Sequence, residues 1–145
     1  MIPPSSVPMC DLGSMDASQY RRLRAIGPWV LAGIGAAIGA WGRWTIGQLI
    51  GWDGASIPWP TLIVNLVGAA IIGLAARRLV AGSALWNLLV TGVLGGFTTA
   101  STLAEETRYL ISADRPLIGI VYLVITLGGG LLAVEVGSSL VRNNR

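Results

Sequence analysis

Hydroxyl and amide side chains lie inside apolar stretches of this sequence, where each needs a hydrogen-bond partner or a polar solute. The segment GGFTTAST, residues 95–102, places Thr98, Thr99, Ser101 and Thr102 after two adjacent glycines. Irregular backbone at membrane depth is tolerated only where it is buried in protein or lines a polar cavity. A helix break there exposes carbonyls that can coordinate a cation, and the hydroxyls that follow can donate to an anion. The pattern predicts an ion pathway, with a glycine-kinked packing helix as the alternative.

Two further polar residues stand in apolar surroundings. Asn65 lies well inside PTLIVNLVGAAIIG, and its amide either bonds a neighbouring helix or faces a pore and donates to a passing solute. Arg43 ends the glycine-rich stretch GIGAAIGAWGR, and its side chain either extends to the membrane interface or attracts an anion. Gly35 and Gly39 in that stretch are four residues apart, a spacing that lets another helix backbone approach closely.

The histidine that activates most serine and cysteine nucleophiles is missing. The chain has no histidine, and its single cysteine is Cys10. Ser-His and Cys-His catalysis are thereby excluded. A disulfide within the chain and a cysteine-based metal site are excluded as well. We therefore do not expect an enzyme.

The composition is that of an integral membrane protein. Hydrophobic residues make up 53% of the 145 residues and charged residues 12%, with a mean hydropathy of +0.68; soluble domains carry about 25% charged residues. Four apolar stretches meet the requirement of roughly 20 residues per spanning helix. They cover residues 28–50, 59–79, 85–111 and 117–141. We predict an all-α membrane protein of four transmembrane helices, the third broken in mid-membrane.

The N-terminal segment differs in character from the rest. Residues 1–25 are polar and proline-rich, with no apolar core or cleavage site of a signal peptide. We predict a disordered cytoplasmic tail there, with Met9 and Met15 as alternative starts, followed by one four-helix membrane domain over residues 26–145.

The arginines are distributed unevenly between the two sides of such a chain. Seven of them lie on the side that holds both termini: Arg21, Arg22, Arg24, Arg77, Arg78, Arg142 and Arg145. The other side holds Arg108, Arg115 and at most Arg43. By the positive-inside rule both termini are cytoplasmic. The net charge of +3 therefore reflects topology, and we expect no nucleic-acid partner.

Four segments in order, GAWGRW, PTLIVNLVGAAIIG, GVLGGFTTAST and the glycine-rich last helix, resemble the CrcB/Fluc family of fluoride channels. The resemblance covers nearly the whole chain after Ile26. Family members are small four-helix proteins of the cell membrane that assemble as antiparallel dimers, with two fluoride pathways and a central sodium ion. The resemblance implies passive export of fluoride, which enters as membrane-permeant HF and dissociates inside the cell.

The resemblance also assigns roles to residues of this chain. The implied fluoride pathway is Asn65, Ser101, Thr102 and Arg43, and the implied sodium ligands are the backbone carbonyls of Gly95 and Thr98. Fluoride is small and strongly hydrated, so a selective path must replace its water with several close donors. Tyr122 and Thr126, spaced i and i+4, can add further hydroxyls on one face of the last helix.

Two pore positions depart from the family pattern. After the glycines and one apolar residue, the family has Thr-Thr-Phe-Ser-Thr-Phe, and the phenylalanines present their positive ring edges to the anion. Ala100 and Leu103 stand at those positions here, and Phe97 lies one position before Thr98. Pro60 also stands where the family usually has glycine.

Two functions from different classes follow. The chain is either a conducting fluoride channel subunit or a non-conducting structural subunit of a heterodimer, whose oppositely oriented homologous partner supplies the phenylalanines. The arginine bias favours a heterodimer, because two identical antiparallel chains must insert in both orientations. A proton-coupled drug exporter requires an acidic residue in the first helix, and that helix has none.

Overall fold

The computed structural model describes residues 17–142, which form five helices joined by short turns. The helices are α1 (Ala17–Ile50), α2 (Trp59–Arg78), α3 (residues 84–97), α4 (Ala100–Ser112) and α5 (Pro116–Arg142). Within α3, the stretch Asn87–Leu94 is a π-helix between single α-helical turns. The described part of the chain is therefore helical, as predicted.

In the part of the chain that the structure describes, three helical segments are long and apolar enough to cross a membrane. They are Trp59–Arg78, Ala84–Ser112 and Pro116–Val141, with mean hydropathies of 1.8, 1.2 and 2.4. The second segment joins α3 and α4. α1 is longer than α2, but its many glycines, its tryptophans and Arg43 make it less apolar. The structure supports a multi-pass membrane protein, and a fourth span through α1 remains a prediction.

α1 begins at Ala17, inside the segment that we predicted to be a disordered tail. The sequence from Ala17 to Ile26 contains neither glycine nor proline, and α1 runs from it through Gly27 and Pro28 into the apolar part. The disordered tail over residues 1–25 and the membrane domain over residues 26–145 stay predictions. Residues 1–16 lie outside the described residues, as does Arg145.

Glycines allow two pairs of helices to pack backbone against backbone. A Cβ atom on Gly35 or Gly39 of α1 would overlap the carbonyl oxygens of Leu88 and Val93 in α3. On the other side of the molecule, a Cβ atom on Gly137 of α5 would overlap a carbonyl oxygen of α2. This confirms that the paired glycines of α1 serve close packing. The contacts hold α3 against α1 and α5 against α2.

A small apolar core joins α2, α4 and α5. Leu62, Leu103, Leu110 and Tyr122 form it, and the side chains of Leu110 and Tyr122 are fully buried. This core holds α4 in position after the chain has been interrupted at the end of α3.

Candidate ion pathway

The backbone leaves the helix at Thr98 and Thr99. Both are extended, with φ −75° and ψ 156° at Thr98 and φ −147° and ψ 122° at Thr99. Gly95 and Gly96, which precede the extended residues, are helical. Gly96 is needed there for packing, because a Cβ atom on it would overlap the carbonyl oxygen of Ala36 in α1. Threonine is β-branched and suits both extended backbone and a helix N-cap, so the interruption falls on the threonines.

Asn65 braces the interruption from α2. Its Nδ2 donates to the Thr99 carbonyl oxygen at 3.0 Å, and its Oδ1 accepts from the Thr99 N–H at 2.8 Å. One amide thus replaces the partner that the Thr99 N–H lost when the helix ended, and it adds a second bond to the carbonyl of Thr99, which is the N-cap of α4. Of the two alternatives for Asn65, the structure shows bonding to a neighbouring segment. Its amide carries a second N–H, and the half-buried side chain also lines a groove.

Three hydroxyls gather at the first turn of α4. Thr99 Oγ1 accepts from the backbone N–H of Thr102 at 3.2 Å, donates to Thr102 Oγ1 at 3.0 Å, and lies 3.2 Å from Ser101 Oγ. Thr99 is buried, Thr102 half-buried and Ser101 exposed. The N-terminus of a helix carries partial positive charge, so this cluster of donors suits an anion.

The structure divides the predicted pathway residues between two openings. Arg43 and Thr102 line a polar cavity of about 290 Å³ between α1, α2 and α4. Asn65 lines a separate groove of about 320 Å³ together with Thr98, Thr99, Ala100 and Thr126. Ser101 appears in neither lining, but hydrogen bonds through Thr99 connect the two sites. The residues predicted from the sequence thus divide between two openings, and Thr99 of the groove is hydrogen-bonded to Thr102 of the cavity.

Glu106 is the polar residue that the sequence analysis missed. It lines the polar cavity, and its carboxylate accepts from Thr61 Oγ1 at 2.9 Å and from the Tyr122 hydroxyl at 2.6 Å. A signal for it was present, because Glu106 follows Thr102 by four residues and so lies on the same helix face. An acidic residue inside a span is in itself a sign of a functional site.

The last helix contributes one of its two expected hydroxyls. The Tyr122 hydroxyl reaches the Glu106 carboxylate, whereas Thr126 Oγ1 donates to the Tyr122 carbonyl oxygen at 2.8 Å within α5. Thr126 is therefore satisfied by its own helix, and α5 adds the tyrosine to the polar network.

Both positions that depart from the family pattern line the groove with Asn65, and they differ in exposure. Ala100 is exposed and lines the groove next to Asn65. Leu103 is only 5% exposed and belongs to the apolar core with Tyr122. Neither side chain brings an aromatic ring edge to the polar region.

The end of α3 offers oxygens that suit a small hard cation. In a continuous helix the Thr99 N–H would bond the Gly95 carbonyl, but here it donates to Asn65 instead. The last carbonyls of a helix lack intrahelical partners and carry partial negative charge. Gly95 and Thr98 both lie in this last stretch, and Gly95 is exposed. The carbonyls predicted to hold sodium therefore fit such an ion chemically.

Comparison with known proteins gives consistent matches over most of the chain. Residues 30–138 match the family described as CrcB-like protein, Camphor Resistance (CrcB). A Ralstonia pickettii protein named fluoride-specific ion channel FluC is 40% identical over 118 residues, which are 79% of this chain and 94% of that protein. A Mycolicibacterium paratuberculosis protein named fluoride-specific ion channel FluC 1 is 36% identical over 135 residues, which are 90% of this chain and 98% of that protein.

Proposed function

The chain belongs to the CrcB family, and on that premise we propose that it is a subunit of a fluoride-specific channel through which cytoplasmic fluoride leaves the cell by passive diffusion. The observation that carries the proposal is the match of residues 30–138, together with relatives named as fluoride channels. The family consists of ion channels, which agrees with the expectation that the chain is not an enzyme.

The polar region supplies the donors that such a channel requires. The Arg43 guanidinium attracts the anion into the polar cavity, where Thr102 offers a hydroxyl. The hydroxyl cluster with Ser101 carries the ion past Thr99, and the second N–H of Asn65 donates to it in the groove. Neutral hydroxyl and amide donors replace water without trapping the ion as a cluster of cations would.

We further propose a structural sodium ion held by the backbone carbonyls of Gly95 and Thr98, at the centre of the dimer. When bound, it supplies positive charge that balances the carbonyl dipoles at the end of α3. The chain itself holds the extended segment in place through the Asn65 amide.

For the assembly, we propose four spans with both termini in the cytoplasm and an antiparallel dimer with an oppositely oriented homologous subunit. The alternative function, a non-conducting structural subunit of that heterodimer, is favoured by one specific observation. Leu103 is buried in the core and Ala100 carries only a methyl group, so these two positions provide no ring edges for the anion.

The proposal is tested by fluoride efflux from liposomes, followed with a fluoride electrode. Liposomes hold either this chain alone or this chain with an oppositely oriented, phenylalanine-bearing relative, and chloride-loaded liposomes serve as the control. We expect efflux of fluoride but not of chloride from the pair, and little from the chain alone. Absence of fluoride efflux from both preparations would contradict a channel. Robust efflux from the chain alone would contradict the heterodimer and leave a homodimeric channel.

The subunit that conducts is identified within the pair by Asn65→Leu, introduced in this chain only. If the pathway residues of this chain carry fluoride, the efflux of the pair falls. If this chain is purely structural, the pair keeps its efflux as long as it still assembles, which size-exclusion chromatography reports.

A further inference from the structure

The connection between α1 and α2 forms part of the wall of the polar cavity. We call residues 51–58 the strap. Gly51 and Trp52 of the strap line the cavity together with Arg43 and Glu106. Trp52 is the bulkiest side chain that the strap places there, and it also packs against the apolar core. The position of the strap therefore decides how wide this side of the cavity is.

The strap is held in one shape by its own hydrogen bonds. Asp53 Oδ1 accepts from the backbone N–H groups of Ala55 at 2.9 Å and Ser56 at 3.0 Å, and from Ser56 Oγ at 2.9 Å. The indole Nε1 of Trp52 donates to the Ser56 carbonyl oxygen at 2.8 Å. The orientation of the indole is thereby coupled to the fold of the strap.

Two residues outside the strap tie it to the end of α4 and the turn that follows. The rings of Trp52 and Tyr109 meet edge to face, with centroids 5.6 Å apart and an interplanar angle of 74°. Gly54 lies directly against the same tyrosine, because a Cβ atom on it would come within 3.3 Å of the ring and its hydroxyl. Arg115 Nη1 donates to the Ala55 carbonyl oxygen at 2.7 Å.

We propose that Trp52 is a specificity-determining residue that restricts the polar cavity to small solutes, and that Tyr109 and Arg115 are positioning residues that hold the strap, and with it Trp52, across the cavity. The identity of the small solute as fluoride rests on the proposed function. The restriction itself does not, because it follows from the packing of the strap.

Access to the cavity can be measured by cysteine labelling, without any transport. Ala40 lines the cavity and is half-buried, so Ala40→Cys reports on it in a full-length Cys10→Ser chain purified in detergent. Two methanethiosulfonate reagents are compared, one with a methyl group and one with a bulky trimethylammonium-ethyl group. We expect the methyl reagent to label the native strap much faster than the bulky one.

Loosening the strap should raise the labelling rate of the bulky reagent selectively. Tyr109→Ala should raise this rate about fivefold, as expected for loss of an edge-to-face aromatic pair, and should leave the labelling rate of the methyl reagent almost unchanged. Tyr109→Phe keeps the ring and should retain the native rate. Arg115→Met should act like Tyr109→Ala, and Arg115→Lys should restore most of the restriction. Ser112→Cys, on the exposed end of α4, should be labelled at one rate in every background.

Equal rates for both reagents in the native chain would overturn the proposal. So would identical rates in Tyr109→Ala and Tyr109→Phe, or equal acceleration of both reagents, which indicates general loosening. If Tyr109→Ala does not fold, Arg115→Met against Arg115→Lys decides the matter. Fluoride efflux is measured separately. A chain that does not conduct fluoride but shows the expected labelling would contradict the proposed channel function and still support the proposed role of the strap.

Discussion

At the scale of single residues, Asn65 combines two tasks that the sequence presented as alternatives. Its amide occupies both backbone groups of Thr99, and its side chain still borders the groove. A residue that braces the interruption and also faces the proposed pathway ties the geometry of the donors to the geometry of the break. Substitutions of Asn65 should therefore affect stability as well as transport.

We predict that Asn65→Leu lowers the thermal unfolding midpoint of the detergent-solubilised chain. The substitution leaves the N–H of buried Thr99 without its partner, which costs about 1–3 kcal/mol. Asn87→Leu is the matched control, since its amide makes one longer bond of 3.3 Å to the Gly82 carbonyl on the exposed side. An Asn65→Leu chain as stable as the wild type would show that the brace contributes nothing.

A second residue-scale prediction concerns the pH dependence of the strap. The backbone N–H of Ala55, followed by that of Ser56, donates to the Asp53 carboxylate and holds its pKa below the ordinary value of 3.8. A lowered folded pKa stabilises the strap at pH values above the unfolded pKa, and this stabilisation is lost as the pH falls through the folded pKa. Asp53 is fully exposed, so the effect is confined to the strap.

The fluorescence of Trp52 should report this loss. The Trp52 signal is obtained by subtracting the fluorescence of Trp52→Phe from that of the wild type. This signal should stay constant between pH 7 and 5 and change only below pH 3.8. Asp53→Ala should show the low-pH spectrum at neutral pH. A transition centred above pH 5 would assign the titration to another group.

At the scale of the elements, α3 depends on adjacent glycines with opposite requirements. A Cβ atom on Gly96 would overlap the backbone of Ala36, whereas a Cβ atom on Gly95 meets nothing closer than the Val90 carbonyl oxygen at 3.8 Å. Gly96 is therefore required for the packing of α3 against α1. Gly95 has room within the single chain, so any strict requirement for glycine there must come from the partner subunit or the cation.

This contrast gives a matched pair of substitutions. Gly96→Ala should destabilise the chain by about 1–3 kcal/mol through overpacking, and Gly95→Ala should be close to neutral in the isolated subunit. The thermal unfolding midpoint of each variant checks the difference. If the two substitutions have equal effects, the close approach of α3 to α1 is not what limits this position.

At the scale of the whole molecule, the arginine distribution predicts a single orientation. Reporter fusions after Arg145 should indicate cytoplasm, and reporters inserted next to Asp53 should indicate the exterior. A fixed orientation would mean that the strap and the mouth that it borders face outward. Comparable signals from both orientations at each site would contradict the positive-inside assignment and remove the main argument for a heterodimer.

Features that depend on local composition could be predicted from the amino-acid sequence. Apolar stretches near 20 residues long predict membrane helices, and three of these are apolar enough in the structure to span a membrane. The hydroxyl-rich segment after the glycines marked the place where the helix is interrupted, within a few residues. Family motifs then indicated a fluoride channel, because four of them occur in the order of the family.

Hydrogen bonds between segments that are distant in the chain became visible only in the tertiary structure. Asn65 bonds the backbone of Thr99, and Arg115 donates to the Ala55 carbonyl. Glu106 accepts hydrogen bonds from the hydroxyls of Thr61 and Tyr122. In each case the partner lies in another segment of the chain. Local periodicity carries no information about such pairs, so the Thr61 and Tyr122 partners of Glu106 could not be predicted, although its spacing from Thr102 indicated the helix face on which it lies. The exact position of the break could not be predicted from the sequence either, because glycine permits both an open turn and a close helix contact. Only the position of Ala36 against Gly96 shows that Gly96 serves a close helix contact.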